Sequence, residues 1–208
     1  MKVLDLFCGA GGASMGYHRA GFEVTGVDIK HGKRYPFKYL RLNVMELQPS
    51  DLAEYDLIHA SPPCQTHSIT RNLRIAQGKQ TDKLDLIEPT RALLQASGKP
   101  YVIENVPGAP LFKPILLCGS AFDLKVRRHR LFESNLELKG TVCDHKKQGR
   151  PVGVYGSMRD EIPSGGKTAE SIEQAREAMG IDWMIWGELV EAIPPVYTEY
   201  LGRQVQLL

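Results

Sequence analysis

Residues 1–29 read "MKVLDLFCGAGGASMGYHRAGFEVTGVDI", and the fold class follows from them. "KVLDLF" is an apolar run of strand length, the glycines at 9, 11 and 12 form a tight turn, and "GGASMGYHRAGF" is a short helix closed by Gly21. "EVTGVDI" is a second strand, ending in an acid. The pattern then continues. "YDLIHASPP" (55–63) reads as a third strand and "PYVIENV" (100–106) as a fourth. Between them "EPTRALLQASGKP" (88–100) reads as a helix, with Pro89 in its first turn and Gly98 past its end. Strands separated by helix-sized segments predict an α/β fold, a mostly parallel sheet with helices on both faces. On such sheets ligands lie beyond the carboxyl ends of the strands. Gly9, Gly11, Gly12, Asp28, Cys64 and Glu104 all fall there.

A chain of 208 residues, 42% of them hydrophobic, is long enough for one domain with a full core. No apolar run has the length of a membrane-spanning helix, so no membrane partner is expected. The first residues read as a strand and not as a signal peptide. Four cysteines without regular spacing then indicate free thiols and a cytoplasmic location. The net charge of +2 is unevenly spread. Residues 125–150 hold eight Lys or Arg against three acids, a local +5, and residues 66–83 hold four against one. Two basic segments beside a candidate site point to a polyanionic partner.

Beyond Arg130 the periodicity weakens, apart from a strand candidate "PVGVYG" (151–156). "TAESIEQAREAMG" (168–180) predicts a helix capped by Thr168 and ended by Gly180. The last stretch predicts two helical pieces broken at Pro194 and Pro195.

The glycine turn narrows the choice of ligand. A dinucleotide fingerprint needs a third glycine where Ser14 stands, and no Gly-Lys-Ser/Thr follows for a phosphate loop. What remains is a turn whose backbone comes close to a ligand without cradling a pyrophosphate. Asp28, at the end of the second strand, is placed to accept hydrogen bonds from ribose hydroxyls.

"ASPPCQTHS" (60–68) sets a cysteine behind two prolines. Pro62 and Pro63 fix their own φ angles and present Cys64 at a strand end, as a nucleophile requires. "ENV" (104–106) adds a carboxylate at the next strand end, where little water should raise its pKa. "RRHRLF" (127–132) adds Arg128 and Arg130, alternate residues of an extended segment and so on one face. Their guanidinium forks suit a carbonyl oxygen or a phosphate.

Taken together in this order, these motifs resemble the DNA cytosine-5 methyltransferases, in particular small phage or prophage members. "FCGAGG" is similar to the family's cofactor motif, "PPCQ" to its Pro-Cys motif, and "ENV" to its Glu-Asn-Val. "RRHR" is similar to its Arg-x-Arg, and "EAIPPVYTEYLG" (191–202) to its last helix. The resemblance implies a Rossmann-like S-adenosylmethionine-dependent methyltransferase fold. It implies a catalytic core over 1–132, a reduced target-recognition region over 133–167, and helices over 168–208 that complete the core. Cys64, Glu104, Arg128 and Arg130 are the implied catalytic residues: the thiol adds to C6 of cytosine, Glu104 engages N3, Arg130 holds O2 and Arg128 orders the loop. S-adenosylmethionine would contact Phe7, Gly9, Gly11, Gly12, Asp28, Ile29, Asn43, Val44 and Pro62. A flipped cytosine in duplex DNA would contact Pro63, Gln65, Ser68, Arg71, Asn105 and Val106.

The sequence departs from the family in four places. Asn43 stands where an acid usually meets the adenine amine, Val126 replaces the Gln ahead of the two arginines, Glu191 replaces an Asn, and the recognition region is short. A short region implies a short recognition site, loose specificity, or help from a partner protein to a monomeric enzyme that protects DNA from restriction. Methylation of RNA or of a free cytidine nucleotide, and an inactive DNA-binding subunit, are the competing readings. Cys118, Cys143 and His145, with His129 close in sequence, have zinc-ligand chemistry, but Cys-x-His is not a standard ligand pair and no metal site is expected.

Overall fold

The computed structural model describes residues 1–30, 32–63, 85–156 and 167–208. Five strands pair in parallel: β1 (Lys2–Leu6), β2 (Glu23–Asp28), β3 (Lys38–Arg41), β4 (Leu57–Ala60) and β5 (Tyr101–Asn105). They are joined by β6 (Ile115–Leu117) and β7 (Arg130–Ser134), with β7 antiparallel to both β5 and β6. The order across the sheet is β3-β2-β1-β4-β5-β7-β6. The inner strands β1, β4 and β5 are covered on both faces, which is why their sequences are nearly continuous apolar runs.

The helices cover both faces, as the alternating pattern predicts. α1 (Gly12–Arg19) follows the glycine turn, and α2 (Ile87–Ser97) ends at Gly98 with φ +66°. α3 (His145–Gln148) and the two short strands β8 (Val152–Gly153) and β9 (Lys167–Thr168) precede α4 (Ile172–Met179). α5 (Trp186–Glu191) and α6 (Pro195–Val205) are separated at Pro194, as expected from the proline pair. One core cluster packs Tyr17 and Phe22 against Tyr197 and Leu201; another, on different strand residues, gathers Leu52, Tyr55 and Leu94. A smaller cluster holds α4 and α5 through Met179, Met184 and Leu189. Among the described residues no helix is long and apolar enough to cross a membrane.

Two local expectations are corrected, and two strands appear that the sequence did not predict. Thr168 lies in β9 and does not cap α4; Ser171 does, its hydroxyl accepting the Gln174 N–H at 3.1 Å. Strands β3 and β6 carry too few buried residues to show as a pattern. Arg128 and Arg130 do not share a face of one extended segment, because Arg128 has φ +36° and β7 begins only at Arg130.

Two interactions fix the periphery. Arg91 of α2, 1% exposed, donates to both carboxylate oxygens of Glu133 in β7 at 2.8 Å each. α6 packs on α1 at a distance only glycine allows. A Cβ on Gly16 would overlap the Pro195 carbonyl oxygen and Thr198 Oγ1, and the Thr198 hydroxyl donates to the Ala13 carbonyl at 2.7 Å. Alanine normally favours a helix over glycine by about 1 kcal/mol. Gly16→Ala should reverse that sign and cost about 1–3 kcal/mol through overpacking. Gly187→Ala in α5, where a Cβ meets nothing within 4 Å, should be neutral or stabilising. Urea midpoints of the two variants test the contact: a Gly16→Ala variant as stable as wild type would mean that the helices do not meet there.

Candidate active site

The first part of the site is the turn after β1. Phe7 (φ +59°), Gly9 (φ +53°) and Gly11 (φ +86°) are all left-handed, a conformation that is costly for phenylalanine. The turn is tied to β2, with the Cys8 N–H donating to the Val27 carbonyl at 3.2 Å and the Gly9 N–H to Asp28 Oδ2 at 3.0 Å. Trp183 Nε1 donates to the Ala10 carbonyl at 2.8 Å, so the chain after α4 also holds the turn. The three glycines have different functions. A Cβ on Gly9 would meet nothing within 4 Å, whereas Gly11 faces Tyr35 and a Cβ on Gly12 would strike the Ile193 backbone. A side chain would have room at Gly9, whereas at Gly11 and Gly12 it would press on neighbouring residues.

The other expected cofactor residues divide in the same way. Asp28 Oδ1 accepts the Lys30 N–H at 2.9 Å, and each of its oxygens keeps a lone pair. Ile29 beside it is 62% exposed, an apolar surface next to a carboxylate. Val44, 2% exposed, belongs to the core, and Asn43 caps a short turn, its Oδ1 accepting the Met45 N–H at 3.1 Å. A cleft of about 650 Å³ is lined by Leu40, Leu42, Asn43 and Glu46; of the expected cofactor residues only Asn43 reaches it.

Under the turn lies a group that the sequence reading passed over. Asp5 in β1 is fully buried; its Oδ2 accepts the Ser14 hydroxyl, and Oδ1 has no partner. Ser14, the residue that breaks the dinucleotide pattern, therefore serves a buried carboxyl. Burial raises the Asp5 pKa to about 7, and the Ser14 hydrogen bond offsets only part of the rise. The signal in the sequence was an acid inside an apolar strand.

The second part of the site sits at the ends of β4 and β5. Glu104 is 6% exposed, and burial raises its pKa above the ordinary value despite Arg130, a hydrogen bond from Ser61 and Arg128. Arg130 Nε approaches Glu104 Oε1 at 2.9 Å as an ion pair, but the N–H does not aim at the oxygen, which is left without a hydrogen bond. Behind Ser61, His59 Nε2 lies 3.0 Å from the hydroxyl and its Nδ1 lies 3.0 Å from Tyr17 Oη. Burial lowers the His59 pKa to about 3, so this polar chain reaches Glu104 without a charge. His59 lies in β4 and Ser61 just past its end, two residues apart, a spacing visible in the sequence.

Arg128 is held by backbone. At 1% exposure it donates to the carbonyls of Ala192 (2.8 Å), Val154 (2.9 Å), Leu189 (3.0 Å) and Val190. Burial, and then Arg130 beside it, lower its pKa to about 10, so it remains cationic at neutral pH. Tyr197 Oη of α6 donates to the Arg128 carbonyl at 2.9 Å and fixes the same loop from the other side. Asn105, 1% exposed, is also spent on structure: its Nδ2 donates to the Pro62 carbonyl at 3.0 Å, and its Oδ1 accepts the Val106 N–H at 2.9 Å. That bond latches the buried Pro62 to β5, while Pro63 is exposed and Val106 half-buried. Cys64, Gln65, Ser68 and Arg71 lie outside the described residues.

The basic segment 125–150 is less basic at the surface than its count suggests. Arg128 and Arg130 point inward, Lys125 pairs with Glu177 at 3.0 Å, and Lys147 with Asp123 at 3.1 Å. Lys139, Lys146 and Arg150 remain exposed. Cys118, His129, Cys143 and His145 come together in space.

The model of the family described as C-5 cytosine-specific DNA methylase matches residues 1–112. The type II methyltransferase M.FnuDI of Fusobacterium nucleatum is 33% identical over 115 residues, which is 52% of this chain and 33% of that protein. The type II methyltransferase M.HgiGI of Herpetosiphon aurantiacus is 30% identical over 125 residues, 54% of this chain and 96% of that one. The chain thus spans about a third of the length of the first relative and nearly all of the second. A solved putative DNA modification methyltransferase, encoded within an E. coli prophage, has a TM-score of 0.68 at 15% identity and covers 100% of this chain and 99% of its own. The S. pombe Dnmt2 methyltransferase has a TM-score of 0.63 at 14% identity, with 100% of this chain and 98% of that one covered. Both structures share the fold.

The geometry yields two expectations. Arg130→Met removes the cation beside Glu104 and should move that carboxyl's titration further upward, read by carbon-13 NMR; an unmoved titration would show that the pair is not electrically coupled. Asp5 has a folded pKa of about 7 against an ordinary 3.8. Its contribution to stability is therefore present below the ordinary value and lost as pH rises through 7. Between pH 4 and 8 wild type should lose up to about 4 kcal/mol relative to Asp5→Asn. Parallel pH profiles of the two urea midpoints would contradict this.

Proposed function

The chain belongs to the C-5 cytosine-specific DNA methylase family, and we propose that it transfers a methyl group from S-adenosylmethionine to C5 of cytosine in DNA through a covalent Cys64 intermediate. The observation that carries the reading is Glu104: a buried carboxyl with a raised pKa, next to Arg130, at the end of the strand that latches Pro62.

The turn suits the cofactor. Space is open above Gly9, Asp28 keeps lone pairs for ribose hydroxyls, and the exposed Ile29 offers a surface for an aromatic ring. When bound, the cofactor supplies an electrophilic methyl on a sulfonium. In the reaction the Cys64 thiolate adds to C6 of a cytosine swung out of the duplex, and Glu104 donates its proton to N3. The electron pair freed at C5 takes the methyl group. Water then takes the C5 proton as the Cys64 thiolate leaves, and N3 returns its proton to Glu104, which restores the ring and the acid. Arg130 holds the base O2, and Arg128 keeps the loop in place by binding four backbone carbonyls. Asn105 acts through Pro62 on the segment that leads to Cys64.

Residues 133–167 form a reduced recognition region, to which the exposed Lys139, Lys146 and Arg150 bring charge for phosphates. Ser68 and Arg71 add phosphate contacts from the other side. The enzyme works as a monomer, in the cytoplasm, and marks phage or host DNA against restriction; the type II relatives and the prophage-encoded neighbour support that role.

Incubation with duplex DNA and labelled cofactor, followed by nucleoside analysis, should place the label in 5-methyldeoxycytidine. Label in RNA alone, or in no nucleic acid, would overturn the reading. Cys64→Ser should abolish turnover while leaving cofactor affinity in place. Glu104→Gln should lower kcat by about 10²–10⁴-fold. A 5-fluorocytosine duplex should trap wild type covalently and leave Cys64→Ser free.

A further inference from the structure

We infer that Cys118, His129, Cys143 and His145 form a structural zinc site that staples the shortened recognition region to the edge of the sheet and to the arginine loop. The inference does not rest on the proposed reaction and stands or falls separately.

The four side chains come from three stretches. Cys118 directly follows β6, His129 lies between Arg128 and β7, and Cys143 and His145 precede and open α3. One ligand atom of each lies within 4.8 Å of all the others. Cys118 Sγ is 3.3 Å from His145 Nε2, and His129 Nε2 is 3.3 Å from Cys143 Sγ. Zinc bound tetrahedrally by two sulfurs and two nitrogens separates its ligand atoms by roughly 3.3–3.8 Å. Two edges of that tetrahedron are thus already near length, and the others close with small side-chain movements. Two ordinary thiol–imidazole hydrogen bonds would give each pair its own direction; they would not bring both pairs to a single point.

The charges balance: two thiolates and one Zn²⁺ are neutral together. A supporting shell is in place. Ser120 Oγ is 3.2 Å from Cys118 Sγ and accepts the Asp144 N–H at 3.0 Å. The Asp144 side chain caps α3 by accepting the Lys147 N–H at 3.0 Å, and Gln148 Nε2 donates to the Leu124 and Val126 carbonyls at 2.8 and 2.9 Å. With four protein ligands the site is closed, which is the structural and not the catalytic form. Its link to the candidate active site is direct: His129 stands between Arg128, which binds the backbone of α5, and Arg130, which faces Glu104.

The test uses the full chain, expressed with added zinc and purified without chelator. Elemental analysis should find about one zinc per chain, and cobalt exchange should give tetrahedral bands with sulfur charge transfer. Cys143→Ser and His145→Asn should each hold less than about a tenth of that metal. Chelator should lower the Tm of wild type, reversibly on adding zinc, and leave the Tm of Cys143→Ser unchanged. The inference fails if wild type takes up neither zinc nor cobalt, or if the metal survives both substitutions. It also fails if the zinc-loaded wild type has a chelator-insensitive Tm, or if Cys118 and Cys143 are found as a disulfide. If the variants do not fold, the cobalt spectrum of wild type decides: two thiolates and two imidazoles support the site, oxygen-only coordination overturns it.

Discussion

The close packing of α6 on α1 is the constraint from which the rest of the architecture follows. Gly16 and Gly202 remove the side chains that would hold the two helices apart, and Thr198 bonds across the gap. With the helices in contact, the chain around 183–193 lies over the glycine turn, so that Trp183 holds Ala10 and Gly12 abuts Ile193. The same placement sets three carbonyls, at 189, 190 and 192, around the Arg128 guanidinium, and Tyr197 Oη against its loop. A cofactor turn and an arginine loop far apart in sequence are thereby positioned by one helix packing.

The electrostatics of the site are a contest between burial and charge. Glu104 loses water on folding, which favours its neutral form, and Arg130 recovers only part of the cost of keeping it ionised. A carboxyl held in that balance can both give and take a proton. The two arginines divide the work. Arg130 faces the carboxyl, and Arg128, two residues away, is turned by a left-handed backbone into a cluster of carbonyls. The charge count along this segment overstated the cations free to touch a partner for the same reason: a guanidinium that binds backbone inside the fold is not available for contact at the surface.

The sheet topology explains why chemistry collects at one corner. β7 enters antiparallel between β5 and β6, so its first residue, Arg130, lies at the carboxyl edge beside Glu104. The other end of the same strand carries Glu133, which clamps α2 through Arg91. One strand therefore both supports a helix and delivers an active-site cation.

Much of this was readable from the sequence, because strands buried on both faces are apolar runs, helices end at glycines such as Gly98 and Gly180, and a glycine turn after a strand has few structural uses. Those are local properties and need no partner. The order of motifs ending in "ENV" and "RRHR" was legible for the same reason. Only the tertiary structure decided that Gly11 and Gly12 serve packing while Gly9 faces open space, and that Asp5 is buried beneath Ser14. It also decided that Asn105 latches Pro62 and that two cysteines and two histidines 11, 14 and 2 residues apart meet at one point. Each of these depends on which distant backbone comes alongside, and that is set by the fold's long-range packing, which leaves no periodicity in the chain.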